Sequence, residues 1–433
     1  MIADATGRPR RRATPERTPA VGGGPTAARR LRVAVLLKTN SGGMWILPQV
    51  QELIGRGHQV VVVLPGGEGR LTAELRRRGV PVEESPFDFR VGPGSLRGLL
   101  GLRRLLRRLA PDVLHYHLLA SAFAGRFATL GMALRRVHMV AGPLYLESPL
   151  IRPFERLLWR LDDVVICGCR HASERYGELG CPPRRRPVAT YGVNTDRHRP
   201  DWTVPAEPGD GVDFDRRAHA DARAKARAEL GIGDDTFLAV LVAYVYPPIR
   251  LINAGRGIKG HDVLFPAWRR FRERHPRAHL LVVGGGWGEA GAAHRRELID
   301  RFRVAGDPGI TWLETIEDVR PWYAAADVSV SPSLGESHGA AVEAGAMAVP
   351  SIVSEAGGLP ETVDERCGWV VPTDDVAALT DALSAAYREF TAGRLPERGR
   401  AARRLMVERF DNRDSAVRVA DIIEDVAAGG WRG

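Results

Sequence analysis

Cysteine is scarce, with four in 433 residues at Cys167, Cys169, Cys181 and Cys367. Cys167 and Cys169 are separated by one residue, which is not the spacing of paired metal ligands, so the pattern points to a reduced, cytoplasmic protein. No apolar run reaches the ~18 residues of a spanning helix. Nor does an apolar core follow the first basic residues as in a secretion signal, so localisation is expected to be cytoplasmic, at most peripheral to the inner membrane face. A full dinucleotide fingerprint is missing, because Thr39 to Met44 holds a single Gly pair with no clean acidic partner, and this disfavours nicotinamide binding. The P-loop pattern is absent too, which argues against a P-loop phosphotransferase. No repeat recurs at a short fixed period. The only Asp-x-Asp, Asp213 to Asp215, falls in a Pro- and Asp-rich stretch away from any strand end. It reads as solvated, and metal-independent chemistry is expected.

What is present is ample apolar material, 44% of residues, with 26% charged. That balance, at this length, suits a two-domain globular chain. The formal charge of +10 is concentrated in Gly7 to Arg17 and Ala28 to Arg30. This Pro-, Gly- and Arg-rich start reads as a disordered tail over residues 1–30, with a charge suited to anionic lipid and no specific nucleic-acid partner expected.

Beyond the tail, Leu31–Lys38 and Gln59–Pro65 are Val- and Leu-rich runs separated by a Gly-bearing loop and a helical pattern, which makes a βαβ unit. Continuous apolar runs suit strands buried on both faces of a parallel sheet. Similar runs recur at 111–117, 135–142 and 162–169. After the polar stretch at 191–225 the pattern restarts at 236–245, 278–286, 310–314, 327–333, 350–355 and 368–372. The fold class is therefore α/β, with two doubly wound Rossmann-like domains facing each other across a cleft where a nucleotide would bind. The expected division is a tail at 1–30, an acceptor domain at 31–190, a linker at 191–225, a donor domain at 226–412 and a C-terminal helix within 413–433 that packs back on the first domain.

Between Leu334 and Ser351 two acids, Glu336 and Glu343, flank a small-residue segment, and Gly357, Gly358, Pro360 and Glu361 follow. With Gly339 and Pro350, this combination resembles the signature of the retaining, nucleotide-sugar-dependent glycosyltransferases of family 4, whose fold is the two-Rossmann GT-B arrangement. The resemblance runs from about Leu31 to Asn412. It implies transfer of a hexosyl or hexosaminyl unit from a nucleotide-diphosphate sugar to a hydroxyl or amine acceptor. A helix starting near Gly339 would point backbone N–H groups at the diphosphate. The resemblance gives Glu343 the ribose hydroxyls and Glu336 the donor sugar, with Ser337, His338, Gly339 and Ala340 lining the same segment. One departure is visible. Six residues separate the glutamates here, one fewer than the family usually has, and a tighter turn at Ser337–Gly339 would absorb the difference.

The family's Arg and Lys, which would hold the leaving diphosphate, resemble Lys259 and either Arg256 or Arg250. An Arg fork and a compact ammonium together stabilise charge that grows as the sugar bond breaks. Val282–Gly288 resembles the Gly-rich turn of the donor domain, with Gly284 close to the ligand. Glu314 and Ile316 fall in the segment whose backbone reads the base. Gly42 and Gly43 resemble the first-domain loop that closes over phosphates and sugar. His115, His117, His138, Tyr145 and Glu147 lie at strand ends where an acceptor would enter. Two other readings fit the same architecture: a sugar-nucleotide epimerase or phosphorylase, and an inactive nucleotide-sugar-binding subunit. The short glutamate spacing and Ala141, where many relatives carry His, motivate the second.

Overall fold

A computed structural model of the chain describes residues 29–89, 92, 94–142, 144–203, 215–248 and 256–431. The Val-rich runs form two six-stranded parallel sheets. The first contains β1 (Arg32–Leu37), β2 (Gln59–Leu64), β3 (Val82–Glu84), β4 (Val113–His117), β5 (Arg135–Val140) and β6 (Val164–Cys167), in the order β3-β2-β1-β4-β5-β6. The second contains β7 (Leu238–Val242), β8 (His279–Val283), β9 (Ile310–Leu313), β10 (Val328–Ser331), β11 (Ser351–Ser354) and β12 (Gly368–Val371), in the order β9-β8-β7-β10-β11-β12. The two orders are the same doubly wound order. Each reverses direction beside its first strand, between β1 and β4 and between β7 and β10, which opens a crevice at the carboxyl ends of those strands.

Burial on both faces explains the unbroken apolar runs. Every residue of β4, β8, β10 and β11 is buried. Alternate residues feed opposite layers: Val33, Val35 and Leu37 of β1 pack in one core, and Ala34 and Leu36 in the other. The helix Arg216–Glu229 starts inside the stretch read as linker. Asp215 caps it, its carboxylate accepting the N–H of Arg217 at 2.8 Å, and Ala222 and Ala226 pack it on the second half. The Asp-x-Asp is thereby resolved in part: Asp213 lies outside the described residues, and Asp215 is a helix cap.

The chain passes between the halves twice. Val193 and Asp411 form an isolated parallel bridge, with Val193 N–H donating to Phe410 O at 2.7 Å and Asn412 N–H to Val193 O at 3.0 Å. Gly192 permits this approach, because at its φ of +66° a Cβ would stand 2.5 Å from Phe410 O. The last helix, Asn412–Ala427, then lies against Leu47–Gly55 and inserts Val419, Ile422, Ile423 and Val426 into the core of the first half.

Candidate active site

Loops that follow strands bring the two carboxyl edges together. Gly42, after β1, faces Trp287, after β8, so that a Cβ on Gly42 would be 3.1 Å from the indole. Likewise Gly335, after β10, abuts the Leu144 side chain, and Gly358, after β11, abuts Cys169, after β6. The cleft anticipated between the halves is thus lined by both members of the Gly-bearing loops.

At its centre Glu336 and Lys259 form an ion pair, their side chains 18% and 17% exposed. Burial opposes the ammonium charge of Lys259, but Glu336 outweighs that cost and the pKa is raised, so Lys259 is a cation across the neutral range. The ammonium also sits 5.9 Å above the ring of Tyr246. The other oxygen of Glu336 accepts the N–H of Ser337 at 3.0 Å, and its backbone carbonyl accepts the N–H of Gly358 at 3.1 Å. Close packing makes glycine necessary beside this carbonyl: a Cβ on Gly357, at φ +59°, would be 1.9 Å from Glu336 O. The Glu336 loop and the Gly357–Gly358 loop are therefore one physical unit, the second clamped to the first.

Gly339 turns the chain at φ +51°, folding back over the Glu336 side chain. The helix Ala341–Ala346 begins just after it, with Glu343 as its third residue, half-buried. Glu336 and Glu343 are thus a loop and a helix residue, not two positions of one helix. Tyr323, fully buried, donates to Ala340 O at 3.2 Å. Its phenol pKa is driven up by burial and by the Glu343 charge, while burial lowers His198 against the opposing pull of Glu343. His338 is buried, its ring 4.9 Å from Phe410, with Nε2 3.9 Å from Glu361.

On the adjoining edge, Gly284 O accepts from the Trp312 indole at 2.9 Å. Glu314 is ion-paired with Arg295 and largely exposed, and Ile316 packs half-buried into the second-half core. Thr315 accepts the N–H of Gly285 at 3.1 Å, which joins the Gly-rich turn to the segment expected to read a base. Gly43 opens the short helical turn Met44–Ile46.

Several expected residues stand elsewhere. Arg256 is committed to Asp262 at 2.8 Å and, through both terminal nitrogens, to Asp374 at 2.6 and 2.8 Å. Those carboxylates raise its pKa further. Arg250 lies outside the described residues. The histidines of the first sheet are core residues, not cleft residues: His115, His117 and His138 are at most 1% exposed. His115 contacts Val137 O at 3.2 Å and Gln49 Oε1 at 3.3 Å, and burial pulls its pKa down to about 4. His117 meets the Tyr191 hydroxyl at 3.2 Å. His138 and Tyr145 belong to a buried charge cluster around Arg126. That guanidinium binds Glu155 at 2.7 and 2.8 Å and Asp162 at 2.5 Å, and donates to His138 Nδ1 at 3.2 Å. Tyr176 donates to Glu155 and contacts the Tyr145 hydroxyl at 2.8 Å. Lone polar residues at strand ends gave no sequence signal to separate these core roles from a cleft role. Glu147 remains at the surface, paired with Arg175 at 3.0 Å.

Glu361 is the residue whose role sequence reasoning missed. It carries the Pro-Glu end of the Gly-Gly loop and reaches into the first half, where its Oε1 accepts the N–H groups of Arg170 at 2.8 Å and His171 at 3.4 Å. Trp287, stacked on Tyr246 at 30° and 5.8 Å, was passed over for the glycines beside it.

Two parallel doubly wound sheets meeting at their carboxyl edges define a GT-B architecture. Solved structures agree: the Anabaena protein HepE in complex with UDP-glucose aligns with a TM-score of 0.69 at 16% identity, over 92% of this chain and all of that one. Residues 46–197 match the model described as Glycosyltransferase Family 4, and residues 249–389 the model described as Glycosyl transferases group 1. A D-inositol 3-phosphate glycosyltransferase of Streptomyces scabiei is 32% identical over 289 residues, 64% of this chain and 55% of its own length. A GDP-mannose-dependent alpha-(1-6)-phosphatidylinositol monomannoside mannosyltransferase of Mycolicibacterium smegmatis is 28% identical over 290 residues, 64% of this chain and 65% of its own. Across the first three curated relatives the matched region spans 37% to 55% of the relative's length. The chain belongs to the family-4 glycosyltransferases.

Proposed function

We propose that this protein transfers a hexosyl or hexosaminyl unit from a nucleotide-diphosphate sugar to a hydroxyl or amine acceptor, with retention at the anomeric carbon. The observation that carries the reading is the Lys259–Glu336 pair, fixed by the Gly357–Gly358 loop at the meeting of the carboxyl edges. In this reading Lys259, a permanent cation, stabilises the charge that builds on the leaving diphosphate, and Arg250 is the remaining candidate for its Arg partner. Glu343 accepts from the ribose hydroxyls, Glu336 orients Lys259 beside the donor sugar, and Gly42 closes over the phosphates against Trp287. The diphosphate itself takes the acceptor's proton on the same face. Positioning and electrostatics supply the rate, and closure of the halves keeps water from hydrolysing the donor. The acceptor enters from the first half, where Glu147 is the surviving side chain of the expected set. The basic N-terminal residues are proposed to add contact with anionic membrane. Localisation is proposed as cytoplasmic; among the described residues no helix is long and apolar enough to cross a membrane.

A thermal-shift screen against UDP, GDP, ADP and dTDP sugars tests the reading, since a ligand at ~100 times its Kd adds about 2.7 kcal/mol of stability. One nucleotide series is expected to stabilise the wild type, and Glu343→Ala to lose most of that shift. An unchanged shift in Glu343→Ala overturns its role, and binding without sugar transfer or donor hydrolysis overturns the enzymatic reading.

A further inference from the structure

A row of contacts runs from the first half of the molecule to the Lys259–Glu336 pair, and two aromatic rings form its middle. At one end the Trp287 indole faces Gly42, where a Cβ would be 3.1 Å from Cη2. The same indole stacks on Tyr246, with centroids 5.8 Å apart at 30°. Over the Tyr246 ring lies the Lys259 ammonium, 5.9 Å from the centroid, and Lys259 is ion-paired with Glu336.

The loops that carry these rings are joined as one body. Val245 and Gly286 form an isolated parallel bridge. Trp287 N–H donates to Val245 O at 2.8 Å, and Val245 N–H to Gly285 O at 2.9 Å. The join is tight enough that a Cβ on Gly291 would be 2.4 Å from Val245 O. Tyr244 adds a T-shaped contact on the indole, 5.1 Å and 78°. Held by two tyrosines, the half-buried indole has little freedom to yield when Gly42 approaches from the other half. The phenol of Tyr246 feels the ion pair as well: burial raises its pKa, Lys259 opposes the rise and Glu336 adds to it.

We propose that Tyr246 and Trp287 are positioning residues for Lys259. Closure of the Gly42 loop on the indole holds Tyr246 against the ammonium, which sets the cation beside the leaving diphosphate and keeps water from that flank as the halves meet. The identity of the leaving group rests on the transferase reading; the row of contacts does not.

Composition supplies the readout. The chain has three lysines, Lys38, Lys225 and Lys259. Acetylation with sulfo-N-hydroxysuccinimide acetate, followed by peptide mass spectrometry, therefore reports on Lys259 directly, with the exposed Lys225 as internal reference. Trp287→Ala and Tyr246→Leu are each expected to raise Lys259 labelling relative to Lys225 by about threefold, the size of a lost cation–π contact. Tyr246→Phe keeps the ring and is expected to label as the wild type does, which guards against a general loosening of the loop. Gly42→Val drives a methyl into the indole and should raise labelling too. Adding Trp287→Phe, whose ring is shorter at that edge, should bring the Gly42→Val protein back towards the wild-type value. In transfer assays with the nucleotide sugar selected by thermal shift, Trp287→Ala is expected to lower kcat about 10- to 100-fold and to leave the donor KM within about threefold. Unchanged labelling in Trp287→Ala overturns the proposal, and so does a Gly42→Val effect that Trp287→Phe leaves in place. Because labelling needs no donor, a wild type that transfers no sugar defeats the transferase reading without obscuring either result.

Discussion

Glu361 holds the first residue of a helix that belongs to the other half of the molecule: its carboxylate accepts the Arg170 N–H at 2.8 Å. It is 14% exposed and also lies 3.5 Å from the Arg170 guanidinium. A carboxylate at a helix N-terminus is held by orphan N–H groups and the positive end of the helix dipole.

Glu361→Ala is expected to cost about 1 kcal/mol, as loss of a helix cap does, and to let the halves part. Small-angle scattering of the variant should show a larger radius of gyration, restored in part by Glu361→Gln, which still accepts hydrogen bonds. Burial disfavours the Glu361 charge, but His338 and the N–H groups of His171 and Arg170 outweigh it and the pKa is lowered. The sign follows: its contribution is complete above the usual carboxylate range and disappears as pH falls through the lowered value. Equal scattering curves for wild type and Glu361→Ala would remove the latch role.

Lys259→Met leaves Glu336 without its cation. A destabilisation of about 1–3 kcal/mol is expected from the unpaired group, together with a fall in turnover of about 10²–10³. Adding Glu336→Gln should recover stability and not activity. If the double variant recovers both, Lys259 is a structural cation only.

Arg256→Ala is expected to leave the KM for donor within about twofold, because its guanidinium serves Asp262 and Asp374. Arg250→Ala is expected to raise it at least about tenfold, as loss of a charged hydrogen bond does. Steady-state kinetics on the two variants side by side decide which arginine grips the diphosphate, and the opposite ranking would restore Arg256.

His115 gives the fold an acid sensitivity. Buried, it stays neutral down to a pKa of about 4, whereas in the unfolded chain it takes up a proton near pH ~6.5. Between those values the unfolded state binds more protons, so stability falls as pH falls, by up to about 3 kcal/mol from this group. Melting curves from pH 7 to 4 should show the loss, and His115→Asn a shallower slope; parallel curves would refute the assignment.

Strand patterning was readable because parallel sheets bury both faces, so Val33–Leu37 and Val60–Leu64 had to be apolar throughout. The Gly-Gly loop stood out for a different reason: Gly358 N–H donates to Glu336 O and Gly357 has no room for a Cβ beside it, which leaves few substitutes. Arg256 was weighed without the carboxylates the fold delivers to its loop, and Asp374 comes from 118 residues away. His138 and Tyr145 were misread for a similar reason, since the Arg126 cluster that claims them gathers Glu155, Asp162 and Tyr176 from separate elements.

The helix Asn412–Ala427 is made after the second half and belongs to the first. Val419, Ile423 and Val426 complete a core whose other members begin at Leu31, so the first half cannot close that core while its chain is still emerging from the ribosome. Its two Val-rich leading strands wait, partly uncovered, through synthesis of the whole second half. That order of events ties the final folding of the first half to completion of the second, and makes loss of this helix a fault in the domain on the other side of the molecule.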